Sequence, residues 1–498
     1  MSRLLVLQWV LPGLVSLTLA LLRGHAWLAR RVAVAGALLV LVTSLFLAAQ
    51  VSDGTILTHA FGDWRPPYGI VFVADRLAAV FVVAQALLLA ATVLLLRPSA
   101  HGPRATARAL PLLFLLSFAL TNAYLTGDLF NLFVSFELVL MLSYLLQQIP
   151  GSPRARQITF AVVVGNLVAS LFFFMGVGLL YSTLGSVNLA HISQAATRAD
   201  PDLLRVALGM LLVAFGVKSA LVPLLFWLPI SYPLLSGPVA ALFAGTMTKL
   251  GVYAFFRTVP LLVVDAGLAP LLVGLGAGSA LVAIVAALGQ TELRRLLGYV
   301  VISEVGFMIA GVGLVTEQGL SGALFFTAQA IVVSAALFYL ADEIERKTGC
   351  ADLRRMHERL HATPALLACF VAVALAVAGT PPLSGFFGKL GLFHAMVSSR
   401  AWLALALLVL SSLLTLAAMA HLYARVFLPD RPRTPAIANA RWPLVGLVAL
   451  SLAMALGAGA VSRFTDATAA QLLDPEDYRR AVARTPGRPA PTLIEVER

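Results

Sequence analysis

Lysine is nearly absent from this chain. Its 498 residues include 35 basic side chains, of which only Lys218, Lys249, Lys347 and Lys389 are lysine. Charge of either sign is also scarce, at 12% of residues, where a soluble domain carries about 25%. The two cysteines, Cys350 and Cys369, fit no metal or disulfide spacing and are read as inert. No glycine-rich dinucleotide loop follows a strand, and there is no P-loop. No cysteine cluster suits an iron–sulfur centre, and no histidine pair has haem-like spacing. No cofactor and no metal are therefore expected, and the chain carries no visible redox chemistry or nucleotide hydrolysis. Its energy has to come from an ion gradient or from attached subunits. The formal charge of +12 has no basic run beside an aromatic-rich segment, so nucleic acid is not an expected partner. The arginines fall in short loops, where they set topology.

What the chain has in abundance is apolar sequence: 60% of residues are hydrophobic. Runs of about 20 residues, the length that crosses a bilayer, recur from end to end. The expected fold is an all-α polytopic membrane protein with about 14 transmembrane helices. The spans are Leu4–Leu22, Val32–Gln50, Val71–Leu96, Leu110–Gly127, Leu129–Gln147, Ile158–Tyr181 and Leu203–Phe226, followed by Val239–Phe256, Leu268–Leu288, Leu297–Val315, Gly319–Ala341, Leu366–Val397, Leu403–Phe427 and Pro443–Val461. The first run lacks a small-x-small cleavage site and is followed by Arg23, Arg30 and Arg31, so it reads as a retained helix. Basic residues collect after odd-numbered spans: these three, then Arg97, Arg104 and Arg108, Arg154 and Arg156, Arg294 and Arg295, and the arginine-dense 342–361 loop. Both termini are then non-cytoplasmic in a cell inner (plasma) membrane. The Gly62–Tyr68 loop reads as a rigid outer cap or subunit contact. The 342–361 segment, from Asp342 to past Arg359, reads as a surface helix. The tail from Ser462 onward reads as polar, with a mobile end.

Proline inside a helix removes a backbone hydrogen bond, and in a membrane the freed groups must be buried in protein or face water. Span seven (Lys218, Pro223, Pro229) and span twelve (Pro381, Pro382, Lys389) are interrupted in this way. They lie five helices apart, the mark of inverted repeats. The expected organisation is an N-terminal three-helix segment (1–108), a first half-channel repeat of helices 4–8 (109–257), a second of helices 9–13 (258–428), and a last helix with a polar tail (429–498).

Within the spans, four charges need a reason. Glu137 interrupts a nearly unbroken apolar run, and Lys218, Lys249 and Lys389 lie in apolar sequence. A charge at the bilayer centre costs about 2.5–3.5 kcal/mol on insertion scales. Arginine stays protonated, whereas lysine can release its proton when buried, so a proton relay through Glu137, Lys218, Lys249 and Lys389 is the expected chemistry. Under the repeat register Glu304 answers to Glu137. Glu304, His394 and His421 are further relay candidates, and Asp75 and Asp128, at span ends, read as solvated or capping residues. The competing reading is a structural membrane subunit whose buried pairs only hold helices in register.

The stretch Gly127-Asp-Leu-Phe-Asn-Leu-Phe-Val-Ser-Phe-Glu137 resembles the fifth-helix signature of the antiporter-like subunits shared by respiratory complex I and Mrp cation/proton antiporters. Gly216-Val-Lys218 through Pro229 resembles the seventh-helix signature, Pro238 through Lys249 to Tyr253 the eighth, and Gly379-Thr-Pro-Pro through Lys389 the twelfth. Within that superfamily the likeness is to the D-type subunits of Mrp antiporters, supported by Pro67-Tyr-Gly-Ile-Val-Phe-Val-Ala-Asp-Arg76 and by lysine at 389. The resemblance implies a coupling pair in Glu137 and Lys218, a link between half-channels in Lys249 and an outlet in Lys389. It also implies other membrane subunits as partners and protons with Na⁺ or K⁺ as cargo. The rival it leaves open is the related subunit of a redox-driven pump, complex I or a membrane hydrogenase. Many relatives have a His and a Lys on helix eleven where this chain has Gln329 and Ser334, and an Asp where it has Ile230. The second half-channel is therefore expected to be wired differently, through Glu304, or to be less active.

Overall fold

The computed structural model describes residues 2–22, 24–96, 103–149, 151–263, 267–356, 363–428 and 442–488. Arg23, Arg97, the 357–362 stretch with Arg359 and the end of the tail lie outside the described residues. The chain opens with α1 (Ser2–Leu21) and α2 (Ala26–Val51), then a hairpin of β1 (Leu57–Ala60) and β2 (Val71–Ala74). Next come α3 (Arg76–Leu95), α4 (Pro103–Leu125), α5 (Leu129–Gln147), α6 (Pro153–Leu184) and the short α7 (Leu189–Ala195). A broken pair follows, α8 (Pro201–Ser219) and α9 (Trp227–Ser231), and then α10 (Gly237–Thr258). The second half holds α11 (Ala269–Leu288), α12 (Leu293–Gly313), α13 (Glu317–Thr348), α14 (Leu353–Met356), α15 (Pro364–Ala378), α16 (Ser384–Ser398) and α17 (Trp402–Phe427). The chain ends with α18 (Trp442–Leu456), α19 (Ala458–Leu473) and α20 (Pro475–Ala483).

Helix starts follow the local chemistry of orphan N–H groups. Asp75, Asp128, Ser152, Asp200 and Thr363 each accept from a backbone N–H in the first turn, and proline stands at the first turn of α6, α8 and α15. Among the described residues, eleven helices are long and apolar enough to cross a membrane, and α18–α19, bent by 79°, makes a further candidate. The chain is a multi-pass membrane protein. Apolar side chains on α1, α2, α6 and α17 are widely exposed, as in a lipid-facing shell, while α10, α12 and α13 are almost wholly buried. That reversal is what a bilayer solvent dictates: apolar surface outside, polar groups within. Glycine permits the closest crossing of the core. A Cβ on Gly306 of α12 would stand 2.5 Å from the carbonyl oxygen of Gly276 on α11.

Two expectations need correction, and the otherwise helical fold carries one short hairpin: Leu57–Ala60 and Val71–Ala74 pair antiparallel, with Leu57 opposite Ala74. Span three accordingly begins at Arg76, because Asp75 caps the helix and the β-branched Val71-Phe-Val segment pairs instead of coiling. Residues 342–348 are no separate surface helix but the last turns of α13, which ends at Gly349 in the left-handed conformation, φ +64°. The polar tail is helical through Ala483 and packs back on the bundle, and its end, expected to be mobile, lies outside the described residues.

Candidate functional site

Both predicted interruptions are real, and each leaves backbone groups that named side chains satisfy. Helix α8 stops where Ala220 adopts φ +59°, unusual for a residue with a Cβ. In the gap before α9, the Val222 N–H donates to Ser279 Oγ at 3.1 Å, and the Trp227 indole donates to the Val217 carbonyl at 2.7 Å. In the second break, Gly379 ends α15 at φ +81°. The Lys389 ammonium returns to this helix end, donating to the Val377 carbonyl at 3.1 Å and the Ala378 carbonyl at 2.8 Å, and to Ser412 Oγ at 3.0 Å. A cation at a helix C-terminus meets the negative end of the helix dipole. Lys389 Nζ also lies 4.9 Å from the centre of the Phe307 ring.

Lys218 is the penultimate residue of α8 and only 3% exposed. Its Nζ is 3.6 Å from Glu137 Oε1 on α5. Between them stands Ser170 of α6. Lys218 Nζ donates to Ser170 Oγ at 3.2 Å, and the same hydroxyl donates to Glu137 Oε1 at 2.5 Å. Lysine, hydroxyl and carboxylate thus form one hydrogen-bonded line, through which a proton leaving Nζ can displace the hydroxyl proton onto the carboxylate. Glu137 differs from its partners in exposure: 28% of its side chain is open.

The second buried pair joins Lys249 of α10 to Glu304 of α12, Nζ to Oε2 at 3.8 Å. Lys249 Nζ also donates to the Ala244 carbonyl at 3.0 Å. Ser334 of α13 donates to Glu304 Oε2 at 2.5 Å, and Glu304 Oε1 is buried without a partner among the described residues. Each carboxylate therefore accepts a hydroxyl from the next long helix, Ser170 for Glu137 and Ser334 for Glu304. Among the described residues, Gln329, five positions before Ser334 on α13, is buried with neither side-chain atom hydrogen-bonded, as is the Thr248 hydroxyl next to Lys249.

Of the sequence-derived residues, Glu137 and Lys218 come together, Lys249 and Glu304 come together, and Lys389 sits at the second break. His394 and His421 are exposed on α16 and α17. Asp75 and Asp128 both cap helices, but both are buried rather than solvated. Sequence reasoning passed over Ser170, Ser412 and Arg257, and treated Ser334 only as a departure. A lone serine in an apolar span gives no signal, since serine in such helices commonly bonds to its own preceding turn.

The family model described as "NADH:quinone oxidoreductase/Mrp antiporter, TM" matches residues 126–415, which include both pairs and both breaks. The chain belongs to this family. Within the NADH:quinone oxidoreductase/Mrp antiporter family it is similar to the D subunit of the Na(+)/H(+) antiporter of Alkalihalophilus pseudofirmus, 34% identical over 97% of this chain and 100% of that one. Its backbone is similar to a chain of the Mrp complex from Dietzia sp., with TM-score 0.86 and 28% identity over 96% of this chain and 99% of that one. A chain of the membrane-bound sulfane sulfur reductase, an archaeal respiratory membrane complex, shares the fold at TM-score 0.90 and 23% identity, covering 97% and 100%.

Proposed function

We propose that the chain is the proton-relaying subunit of a hetero-oligomeric Mrp-type Na⁺(K⁺)/H⁺ antiporter. The observation that carries this reading is the line Lys218–Ser170–Glu137, a releasable cation joined through a hydroxyl to a carboxylate inside a membrane bundle. Full-length similarity to the D subunit of an Na(+)/H(+) antiporter supports the assignment to an antiporter. The relay runs from Glu137 and Lys218 to Lys249 with Glu304, and then to Lys389. His394 and His421, being exposed, stand outside this path. Ser334 takes the donor role beside Glu304, so the second half keeps a wired carboxylate despite Gln329.

The finer architecture belongs to the same proposal. Eleven candidate spans, taken with α8, the broken α15–α16 and the bent α18–α19, support the expected 14. The matched pairing of Glu137 with Ser170 and Glu304 with Ser334 supports helices 4–8 and 9–13 as repeats, with boundaries at 108, 257 and 428. The arginine-rich odd exits support non-cytoplasmic termini in the plasma membrane. The partly open Glu137 supports a neighbouring membrane subunit beside α5, since a carboxylate facing lipid at the bilayer centre costs about 2.5–3.5 kcal/mol.

Lys218→Ala tests the relay. Cation-driven proton flux in membrane vesicles is expected to vanish while assembled protein is retained; retained flux removes Lys218 from the path. Gentle purification of the native complex tests the assembly. Membrane-only partners support the antiporter, and partners with iron–sulfur, flavin or nickel centres would move the same residues into a redox-driven pump.

A further inference from the structure

Arg257 lies two turns beyond Lys249 on α10, with Tyr253 between them at the same four-residue spacing, so all three lie along one helix face. Arg257 forms a bidentate pair with Asp75, Nη1 to Oδ2 at 2.6 Å and Nη2 to Oδ1 at 2.8 Å. Both side chains are nearly sealed, at 2% and 3% exposure. Tyr253 Oη accepts from Arg257 Nη2 at 3.2 Å and donates to the Tyr124 carbonyl at 2.6 Å. A buried pair like this carries a desolvation cost of several kcal/mol, so its presence at the end of a relay helix calls for a reason.

Over the pair lies the C-terminal segment. Arg76 donates to the Ala467 carbonyl at 3.1 Å, Gln471 to the Gly54 carbonyl at 2.9 Å, and Arg479 to the Ser193 carbonyl at 2.8 Å. Ser321 donates to Asp466 at 2.5 Å, which ties the same strap to α13. Between strap and bundle is a cleft of about 10 Å³, close to the volume that holds one water. It is lined among others by Ile56, Asp75, Arg257, Gln471, Asp474 and Tyr478. Tyr478 is 5% exposed, and its hydroxyl has no hydrogen-bond partner among the described residues. Its ring centre stands 5.4 Å from the Arg257 guanidinium. A buried hydroxyl without a partner among the described residues, on a side chain that lines a water-sized cleft, suits a bound water.

We propose that this cleft under the C-terminal strap is an aqueous mouth of the relay, lined by the fixed Asp75–Arg257 pair and the Tyr478 hydroxyl. The proposal rests on the relay reading above and adds where that relay meets water. The ligand is water carrying a proton. Arg257 holds its own proton throughout, so it is no relay step. It holds Asp75 and Tyr253 in place beneath the cleft, on the α10 face that also carries Lys249.

The test uses the whole complex, with Cys350→Ser and Cys369→Ser as background. Ile56→Cys and Asp474→Cys place a thiol on opposite walls of the cleft, and Arg480→Cys places one on the exposed side of α20. A bulky membrane-impermeant methanethiosulfonate is applied, and flux is compared before and after labelling of the same variant. Labelling either cleft variant is expected to cut flux by at least about tenfold, and labelling Arg480→Cys to leave it unchanged. Undiminished flux in a labelled cleft variant, or cleft thiols that do not react, overturns the proposal. If one cleft substitution prevents assembly, the opposite wall decides. Failure of the relay reading is separate, because it appears as retained flux in unlabelled Lys218→Ala.

Discussion

Ser170→Ala removes a single oxygen atom from between Lys218 and Glu137. That oxygen is 3.2 Å from Nζ and 2.5 Å from Oε1, closer to each than the 3.6 Å that separates the charges themselves. The substitution leaves both charges in place and leaves the α6 backbone unstressed, since alanine is the better helix former. Hydrogen bonds to charged groups contribute about 1.5–3 kcal/mol net. If proton passage needs the hydroxyl, losing one such bond at the barrier slows flux by about 10- to 150-fold. The assay is cation-driven proton flux in vesicles, normalised to assembled complex. Ser170→Thr, which keeps a β-hydroxyl, is expected to restore most of the rate. A purely structural serine would instead lower the amount of complex and leave flux per complex unchanged. Wild-type flux in Ser170→Ala, with Lys218→Ala inactive, would refute the bridge and leave direct transfer between the charges.

Gly251→Ala would drive a Cβ onto Ser219 Oγ and to 2.8 Å from the Ser219 backbone nitrogen, beside Lys218. Overpacking of this kind costs about 1–3 kcal/mol, so the purified complex is expected to melt earlier and to exchange more slowly per molecule. Gly379→Ala meets two obstacles, a φ of +81° and a Lys389 Cδ at 2.6 Å. The left-handed conformation alone costs about 1–2 kcal/mol, and flux is expected to fall because the ammonium is pushed from the α15 carbonyls. Ser334→Ala strips Glu304 of its hydroxyl donor. Leaving a buried carboxylate short of a bond costs about 1–3 kcal/mol, to be read as a lower melting temperature, with Ser334→Thr as the conservative control.

The sequence made the charged residues legible because a bilayer leaves so few reasons for them. Glu137, Lys218, Lys249 and Lys389 each interrupt apolar runs, and the two proline-marked breaks follow from the missing backbone donor. The hairpin was hidden because Val71-Phe-Val-Ala is as apolar as a span, and only its partner strand separates the two readings. The tail was read only as polar with a mobile end, and its docking went unseen: Arg76, Gln471 and Arg479 bind it to the bundle. These are long-range contacts with no local signature. Partner choice was equally hidden. The repeat register set Glu304 against Glu137, yet it could not tell whether Lys249 or Lys389 would stand against Glu304. The structure brings Lys249 to 3.8 Å, while Lys389 turns to the carbonyls of its own break.

The buried cations divide by type in a way that bears on mechanism. Where the protein holds a pair fixed, at Asp75, it uses arginine, whose planar fork makes two short bonds at 2.6 and 2.8 Å and whose proton is permanent. At the two proposed relay pairs it uses lysine, and the separations are looser, 3.6 Å to Glu137 and 3.8 Å to Glu304. A single ammonium can rotate away from its carboxylate toward a hydroxyl or a carbonyl, and both lysines already share their protons with such groups, Ser170 and Ala244. Arginine in those positions would lock the carboxylate and keep the proton. The near-absence of lysine elsewhere therefore does not make these lysines remnants of a biased composition. At Lys218 and Lys249 the chain departs from its own preference for arginine, at the two positions where the proposed relay needs a buried cation that can release its proton.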